Sequence, residues 1–218
     1  MKKAIVFDLD GTLLNTLEDL TDSTNYALRV CGFPERTIEE VRHFVGNGIR
    51  KLIERAVPEN TPKEKTDACF TAFCEHYKQN MENKTAEYDG ISEMLSALYS
   101  AGYKMAIVTN KADFAAQALC ANLFGKYIKT VVGSVDSRPN KPAPDGVYYA
   151  LEKMGVSKEE AVFVGDSEVD IQTANNAAID AVGVLWGFRD IADLEAVGVK
   201  TTVKTIKELE NLLLSLKK

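Results

Sequence analysis

The chain has 218 residues, 45% hydrophobic and 27% charged, with a formal net charge of −6. That balance suits one soluble domain, or a core domain with a smaller insertion, and argues against nucleic acid or an anionic membrane as partner, since both recruit basic faces. No apolar run approaches the roughly 20 residues of a membrane span, the N-terminus lacks a secretory apolar stretch, and the cysteines (Cys31, Cys69, Cys74, Cys120) form no Cys-x-x-Cys pair and read as reduced packing residues; a cytoplasmic protein is expected.

The first predicted element is a strand, Ala4-Ile5-Val6-Phe7, with the apolar and β-branched composition of a strand buried on both faces. It delivers Asp8 and Asp10, then Gly11 and Thr12. Two carboxylates this close repel each other unless a cation or a shared proton intervenes. An oxygen donor set without neighbouring cysteine or histidine suits a hard cation such as Mg2+. Gly11 frees the backbone for a tight turn whose amides can face an anion. The competing reading of Asp-x-Asp-Gly is ordinary strand-ending turn chemistry, and the rest of the chain must decide between them.

From about Leu17 to Glu82 every pattern is helical. The first helix ends near Cys31-Gly32-Phe33-Pro34, where glycine and proline stop it. Thr37 and Glu40 have the spacing of a capping box for the second. Gly46-Asn47-Gly48 interrupts it before Ile49, Leu52, Ile53 and Ala56 resume the helical interval. Thr61-Pro62 reads as a cap with proline at the first helical position of a third helix through Phe70, Phe73 and Tyr77. His43 and His76 stand outside any ligand-like spacing and read as surface or packing residues.

After Asp89-Gly90 strands and helices alternate. Helices are predicted over 91–100, 114–122, 145–154, 168–177 and 206–216; strands over 103–108, 130–133, 161–164 and 181–185, with 199–203 a weaker sixth candidate. Such alternation implies a parallel sheet covered on both faces, in which reactive groups collect beyond the carboxyl ends of the strands. Asp8, Asp10, Thr109, Asn110 and Asp166 each follow an apolar strand, and Lys141 lies in the loop after another. They should therefore converge on one rim.

Asp8, Asp10 and Asp166 can supply oxygen ligands to one Mg2+. Asp170 lies one helical turn beyond Asp166 and, with Ser167, can orient ligands from behind. Thr109 and Lys141 offer a hydroxyl and a fixed positive charge, and together the set complements a phosphoryl group. An ionised aspartate needs no base to act as nucleophile, and a second carboxylate can protonate the leaving oxygen and later deprotonate water.

Four segments in order, Phe7-Asp8-Leu9-Asp10-Gly11-Thr12, Val108-Thr109-Asn110, Lys141-Pro142-Ala143-Pro144 and Gly165-Asp166-Ser167-Glu168-Val169-Asp170, give the chain a resemblance to the haloacid dehalogenase-like phosphatases over nearly its whole length. The resemblance implies a three-layer, doubly wound, Rossmann-like α/β core over residues 1–15 and 84–218, with an all-helical cap domain over 16–83. It implies that Asp8 is the nucleophile that becomes an aspartyl-phosphate, and that Asp10 is the general acid/base and also gives its backbone carbonyl to Mg2+. Thr109 and Lys141 would bind phosphoryl oxygens, and Asp166 would complete the metal site. Gly11, Thr12 and Asn110 are further candidates for holding the substrate.

A narrower likeness, to phosphoglycolate phosphatases, rests on the segments 44–56, Thr109-Asn110-Lys111 and Gly183-Val184-Leu185-Trp186-Gly187-Phe188. The Gly46-Asn47-Gly48 break exposes amides at a helix start, which favours anions, Arg50 or Lys51 could add a charge for a substrate carboxylate, and Asn47 and Arg50 are the candidate substrate-binding residues. The alternative there is a helix–helix turn with solvated basic residues. Asn15 stands where these phosphatases often carry aspartate, and Tyr88-Asp89-Gly90 where Pro-Gly is frequent.

The expected enzyme is thus a Mg2+-dependent phosphomonoester hydrolase, a monomer or weak homodimer acting on a small phosphorylated metabolite. A phosphosugar mutase, a pyrophosphatase or nucleotide phosphatase, and a phospho-accepting receiver domain are the rivals. The helical insertion argues against the receiver, and Thr12 after Gly11 resembles the hydrolytic members more than the mutases.

Overall fold

A computed structural model describes residues 1–217. In chain order the elements are β1 (Ala4–Phe7), β2 (Leu14–Asn15), α1 (Leu17–Val30), α2 (Ile38–Phe44), α3 (Ile49–Ala56), α4 (Lys63–Asn80) and β3 (Ala86–Glu87). Then come α5 (Ile91–Ser100), β4 (Lys104–Ala112), α6 (Asp113–Leu123), β5 (Thr130–Ser134), α7 (Asp145–Met154), β6 (Ala161–Gly165), α8 (Glu168–Ala177), β7 (Asp180–Val184), α9 (Ile191–Ala196), β8 (Thr202–Val203) and α10 (Ile206–Ser215). Among the described residues no helix is long and apolar enough to cross a membrane.

Six strands form one parallel sheet in the order β5-β4-β1-β6-β7-β8. The period of two along β1 explains why it is central. Ile5 and Phe7 enter one apolar cluster with α5, α6 and α10, while Ala4 and Val6 enter another with α7 and α8. All four residues are fully buried, so the strand is apolar on both faces. A slip of one residue would exchange the two faces between differently shaped cores, which fixes the register Phe7↔Ile107 and Phe7↔Val164. Helices on both faces make the three-layer α/β architecture that the alternation predicts.

The structure departs from the sequence reading in several elements. β4 is longer than the apolar run suggests and carries Thr109, Asn110 and Lys111 within it, because its register against β5 shifts between Val108 and Ala112. A strand irregularity of this kind re-aims side chains without ending the strand. The sixth candidate shrinks to the two residues of β8. The short α9 and the two-stranded sheet β2-β3 carry too few residues to show a period.

The chain divides into two compact units, Met1–Leu14 with Glu87 onward, and Asn15–Ala86. The second unit is helical, built on α1 packed against α4, and buries Leu28, Val41, Leu52, Ile53, Phe73 and Tyr77. The capping box of α2 is present, with the Thr37 amide donating to Glu40 (2.8 Å) and the Glu40 amide to the Thr37 hydroxyl (3.2 Å). Thr61 does not cap α4. Its hydroxyl donates to the Pro58 carbonyl at 2.6 Å, and Pro62 takes the N-cap position. His76 packs inside this unit, stacked on Tyr26 and 3.0 Å from the Ser23 hydroxyl. The buried Asp19 carboxylate accepts the backbone amides of Lys84 and Thr85, tying the returning chain to α1.

Candidate active site

The three central strands β4, β1 and β6 end side by side, so the residues that follow their apolar runs must meet. Asp8 continues β1 by one hydrogen bond, its amide donating to the Val164 carbonyl at 2.9 Å. Asp166 follows β6 directly, and Thr109 sits on β4 one residue past Val108. Lys141 arrives from the loop after β5 and lies 2.8 Å from Asp8 Oδ1 and 2.6 Å from Asp170 Oδ1. Its carrier loop is held by Asn110, whose carboxamide donates to the Lys141 carbonyl (3.0 Å) and accepts the Lys141 amide (2.8 Å).

Asp8, Asp166 and Asp170 form a buried cluster whose ligand oxygens lie within 4.8 Å of one another. Asp8 and Asp166 are therefore close enough to address a common ion, the condition on which the sequence reading depends. The Asp166 oxygens are oriented by the Thr12 hydroxyl at 2.9 Å and the Phe188 amide at 2.8 Å. Asp170 is oriented too: its Oδ2 accepts the Ser167 amide (3.0 Å) and hydroxyl (2.6 Å). Asp10 is turned elsewhere, with Oδ1 2.9 Å from Lys111 Nζ.

The electrostatics follow from crowding anions out of water. Burial first, then the Asp170 and Asp166 charges, push the Asp8 carboxyl up to about 8 against the opposing pull of Lys141. Burial and Asp170 push Asp166 up to about 7, although the Phe188 amide and Thr12 hydroxyl favour its charged form. Burial alone would lower the Lys141 ammonium; the Asp170 and Asp8 carboxylates reverse this and hold it above the ordinary lysine range.

These residues fit a divalent cation. Counting Asp10, four carboxylates face two ammonium groups, leaving the charge that one divalent ion would cancel. Asp8 Oδ1 is buried, and no donor is aligned on it for a hydrogen bond even though Lys141 is near. An oxygen-only donor set of this kind is what Mg2+ takes.

Gly11 and Thr12 have a supporting place in this geometry. The Gly11 amide donates to the Leu14 carbonyl, and those of Thr12, Leu13 and Leu14 to the Leu9 carbonyl. This corrects the expectation that amides of this turn face an anion: at these four positions the turn uses them itself. Thr12 is fully buried with its hydroxyl on Asp166. Gly11 has a φ of +89°, and a side chain there would strike the Asp166 carboxylate.

Asn47 and Arg50 belong to the helical unit. Asn47 accepts from the Arg55 guanidinium at 2.7 Å, while Arg50 pairs with Asp67 at 2.6 Å and lies 3.8 Å over the Phe70 ring. Two features entered the sequence reading only as parts of a likeness, with no role assigned. Lys111 is a buried ammonium at the end of a buried strand, a placement that by itself demands a counter-charge. The loop Trp186-Gly187-Phe188 closes over Asp166, its indole N–H donating to the Thr12 carbonyl at 3.1 Å.

Comparisons with known proteins agree with this fold. The family model of haloacid dehalogenase-like hydrolases matches residues 5–184. A phosphoglycolate phosphatase of Colwellia psychrerythraea is 33% identical over 224 residues, covering 100% of this chain and 98% of that protein. Another, from Vibrio cholerae, is 35% identical over 219 residues, covering 95% and 96%. A crystal structure from Lactobacillus delbrueckii subsp. bulgaricus, described provisionally as a phosphoglycolate phosphatase, matches with a TM-score of 0.93 at 31% identity, over 98% of this chain and 99% of that one.

Proposed function

The chain belongs to the haloacid dehalogenase-like hydrolases and is a phosphatase, and we propose that it hydrolyses a small phosphomonoester with Mg2+ through an aspartyl-phosphate on Asp8. The observation that carries this reading is the buried cluster of Asp8, Asp166 and Asp170 around the Lys141 ammonium. The Asp8 and Asp166 carboxylates and the Asp10 backbone carbonyl would hold Mg2+, which would supply positive charge to keep the cluster ionised and offset the phosphoryl oxygens.

The chain's own groups do the rest. An Asp8 carboxylate oxygen attacks phosphorus, the bond from phosphorus to the ester oxygen breaks, and Asp10 gives that oxygen its proton. Asp10, now ionised, takes a proton from water as the water attacks the aspartyl-phosphate, releasing phosphate and restoring Asp8. The Lys141 ammonium and Thr109 hydroxyl face the phosphoryl oxygens, where negative charge must be met throughout. Asn110 holds Lys141 at that station, while Thr12 and Ser167 keep Asp166 and Asp170 in place.

The helical unit acts as a mobile cap in this reading. Asn47 and Arg50 recognise a substrate carboxylate, which makes phosphoglycolate the first ester to try. The enzyme works in the cytoplasm as a monomer or weak homodimer. A screen of phosphoglycolate, hexose phosphates, pyrophosphate and nucleotides with Mg2+, read as released phosphate, tests the reaction and ranks the substrates. Asp8→Asn should cut turnover at least about a thousandfold while leaving the fold intact; an active Asp8→Asn variant ends the mechanism.

A further inference from the structure

Two lysines reach the site, and they do different work. Lys141 bridges Asp8 and Asp170 inside the carboxylate cluster. Lys111 instead meets Asp10, 2.9 Å from its Oδ1, with only 2% of the lysine side chain exposed. We propose that Lys111 is a positioning residue for Asp10: it fixes one carboxylate oxygen so that the other is presented to the leaving oxygen of the ester. The inference rests on the acid/base role of Asp10 proposed above.

The local structure is built for such a task. Asp10 lies beyond the end of β1, in the turn that Gly11 opens, and 15% of its side chain remains exposed. A carboxylate there can rotate among several staggered conformers unless something holds it. Lys111 lies on the far stretch of β4, where the register shift against β5 releases the strand from regular pairing. Its backbone amide donates to the Thr109 hydroxyl at 3.2 Å, so the ammonium that grips Asp10 and a group facing the phosphate are set by one backbone segment. The buried Cys120 thiol lies beside the pair, and burial pushes it up to about 12, so it adds no charge there.

A lysine that merely neutralised a buried anion would affect all substrates alike. A positioning role makes a sharper prediction, because only a poor leaving group needs the proton from Asp10 when its bond to phosphorus breaks. The measure is kcat/KM, which runs from free enzyme to the first irreversible step. It is taken with Mg2+ for p-nitrophenyl phosphate and for a simple alkyl phosphate, in wild type, Lys111→Met and Lys111→Arg, after urea unfolding has shown that each variant folds.

The expected result is that Lys111→Met loses about ten- to a hundredfold more on the alkyl ester than on the aryl ester, part of the roughly 10²–10⁴-fold that a general acid supplies. Lys111→Arg should recover part of that difference. Equal losses on both esters, or no loss on either, overturn the proposal. If Lys111→Met does not fold, the two esters are compared in Lys111→Gln, which removes the charge, against wild type, and a ratio unchanged from wild type overturns it. Failure of the underlying reading has its own signature: wild type that releases no phosphate from either ester, or an active Asp8→Asn variant.

Discussion

The rim of the sheet and the helical unit handle charge in opposite ways. At the rim, ion pairs join residues far apart in sequence and lie out of water: Lys141 and Asp8 keep 4% and 10% of their side chains exposed. In the helical unit the pairs are local or half solvated, as with Arg50 and Asp67 at 44% and 46%, or Lys51 and Glu54 three residues apart on α3. Buried charges are costly to move and cannot be left alone, whereas exposed ones contribute little to stability. Chemistry common to many substrates suits the first arrangement, and selection among substrates, which needs side chains free to change, suits the second.

That contrast can be broken at several points. The largest stability effect is expected for Lys141→Met, which strands Asp8, Asp166 and Asp170 without their buried cation. Metal-free protein should lose about 3–5 kcal/mol in urea unfolding, the usual cost of removing one partner of a buried pair. A loss below about 1 kcal/mol, the value of a surface pair, would erase the distinction drawn above.

Gly187→Ala comes next. A Cβ there lies 2.5 Å from both the Gly11 carbonyl oxygen and Asp166 Oδ2, so the loop must lift off the carboxylate it covers. Overpacking of this sort costs about 1–3 kcal/mol, and Mg2+ affinity measured by calorimetry should fall with it. Unchanged affinity would mean that the loop leaves Asp166 undisturbed.

The pH dependence of the metal-free protein tests the same crowding. Folded Asp8 and Asp166 are pushed up to about 8 and about 7 from 3.8, chiefly by burial. Between those limits the folded state holds protons that the unfolded chain has released, so stability falls as pH rises. Urea unfolding without divalent ions should therefore give lower stability at pH 8 than at pH 5, and Mg2+ should narrow the gap. A metal-free protein more stable at pH 8 would contradict the electrostatics of the cluster.

The smallest stability effect belongs to Arg50→Ala, expected within about 1 kcal/mol of wild type because its pair with Asp67 is half exposed. Its effect should appear instead as a higher KM for a carboxylated phosphate ester. An unchanged KM removes Arg50 from substrate recognition and leaves it as a surface residue stacked on Phe70.

What could be read from the sequence follows the same division. Asp8, Thr109 and Asp166 were legible because each follows an apolar run, and a parallel sheet brings the ends of its strands to one edge. The stacking of helices on both faces was equally open to view in the unbroken apolar composition of residues 4–7. The partners of those residues were not legible, since they are chosen by loop conformation. Nothing in the order of residues says that Thr12 reaches Asp166 across 154 positions, or that Lys111 reaches Asp10 across 101. Lys111 did leave a trace, an ammonium where the strand allows no water. Thr61 misled because a hydroxyl before proline can cap a helix or close the preceding turn, and the sequence is the same in both cases.

Trp186 is the chain's sole tryptophan, and its indole N–H rests on the Thr12 carbonyl, two residues past Asp10. Movement of the loop that carries Asp8 and Asp10 should therefore disturb the single indole chromophore. Its emission offers an unlabelled optical gauge of that loop, readable in real time as ions and esters come and go.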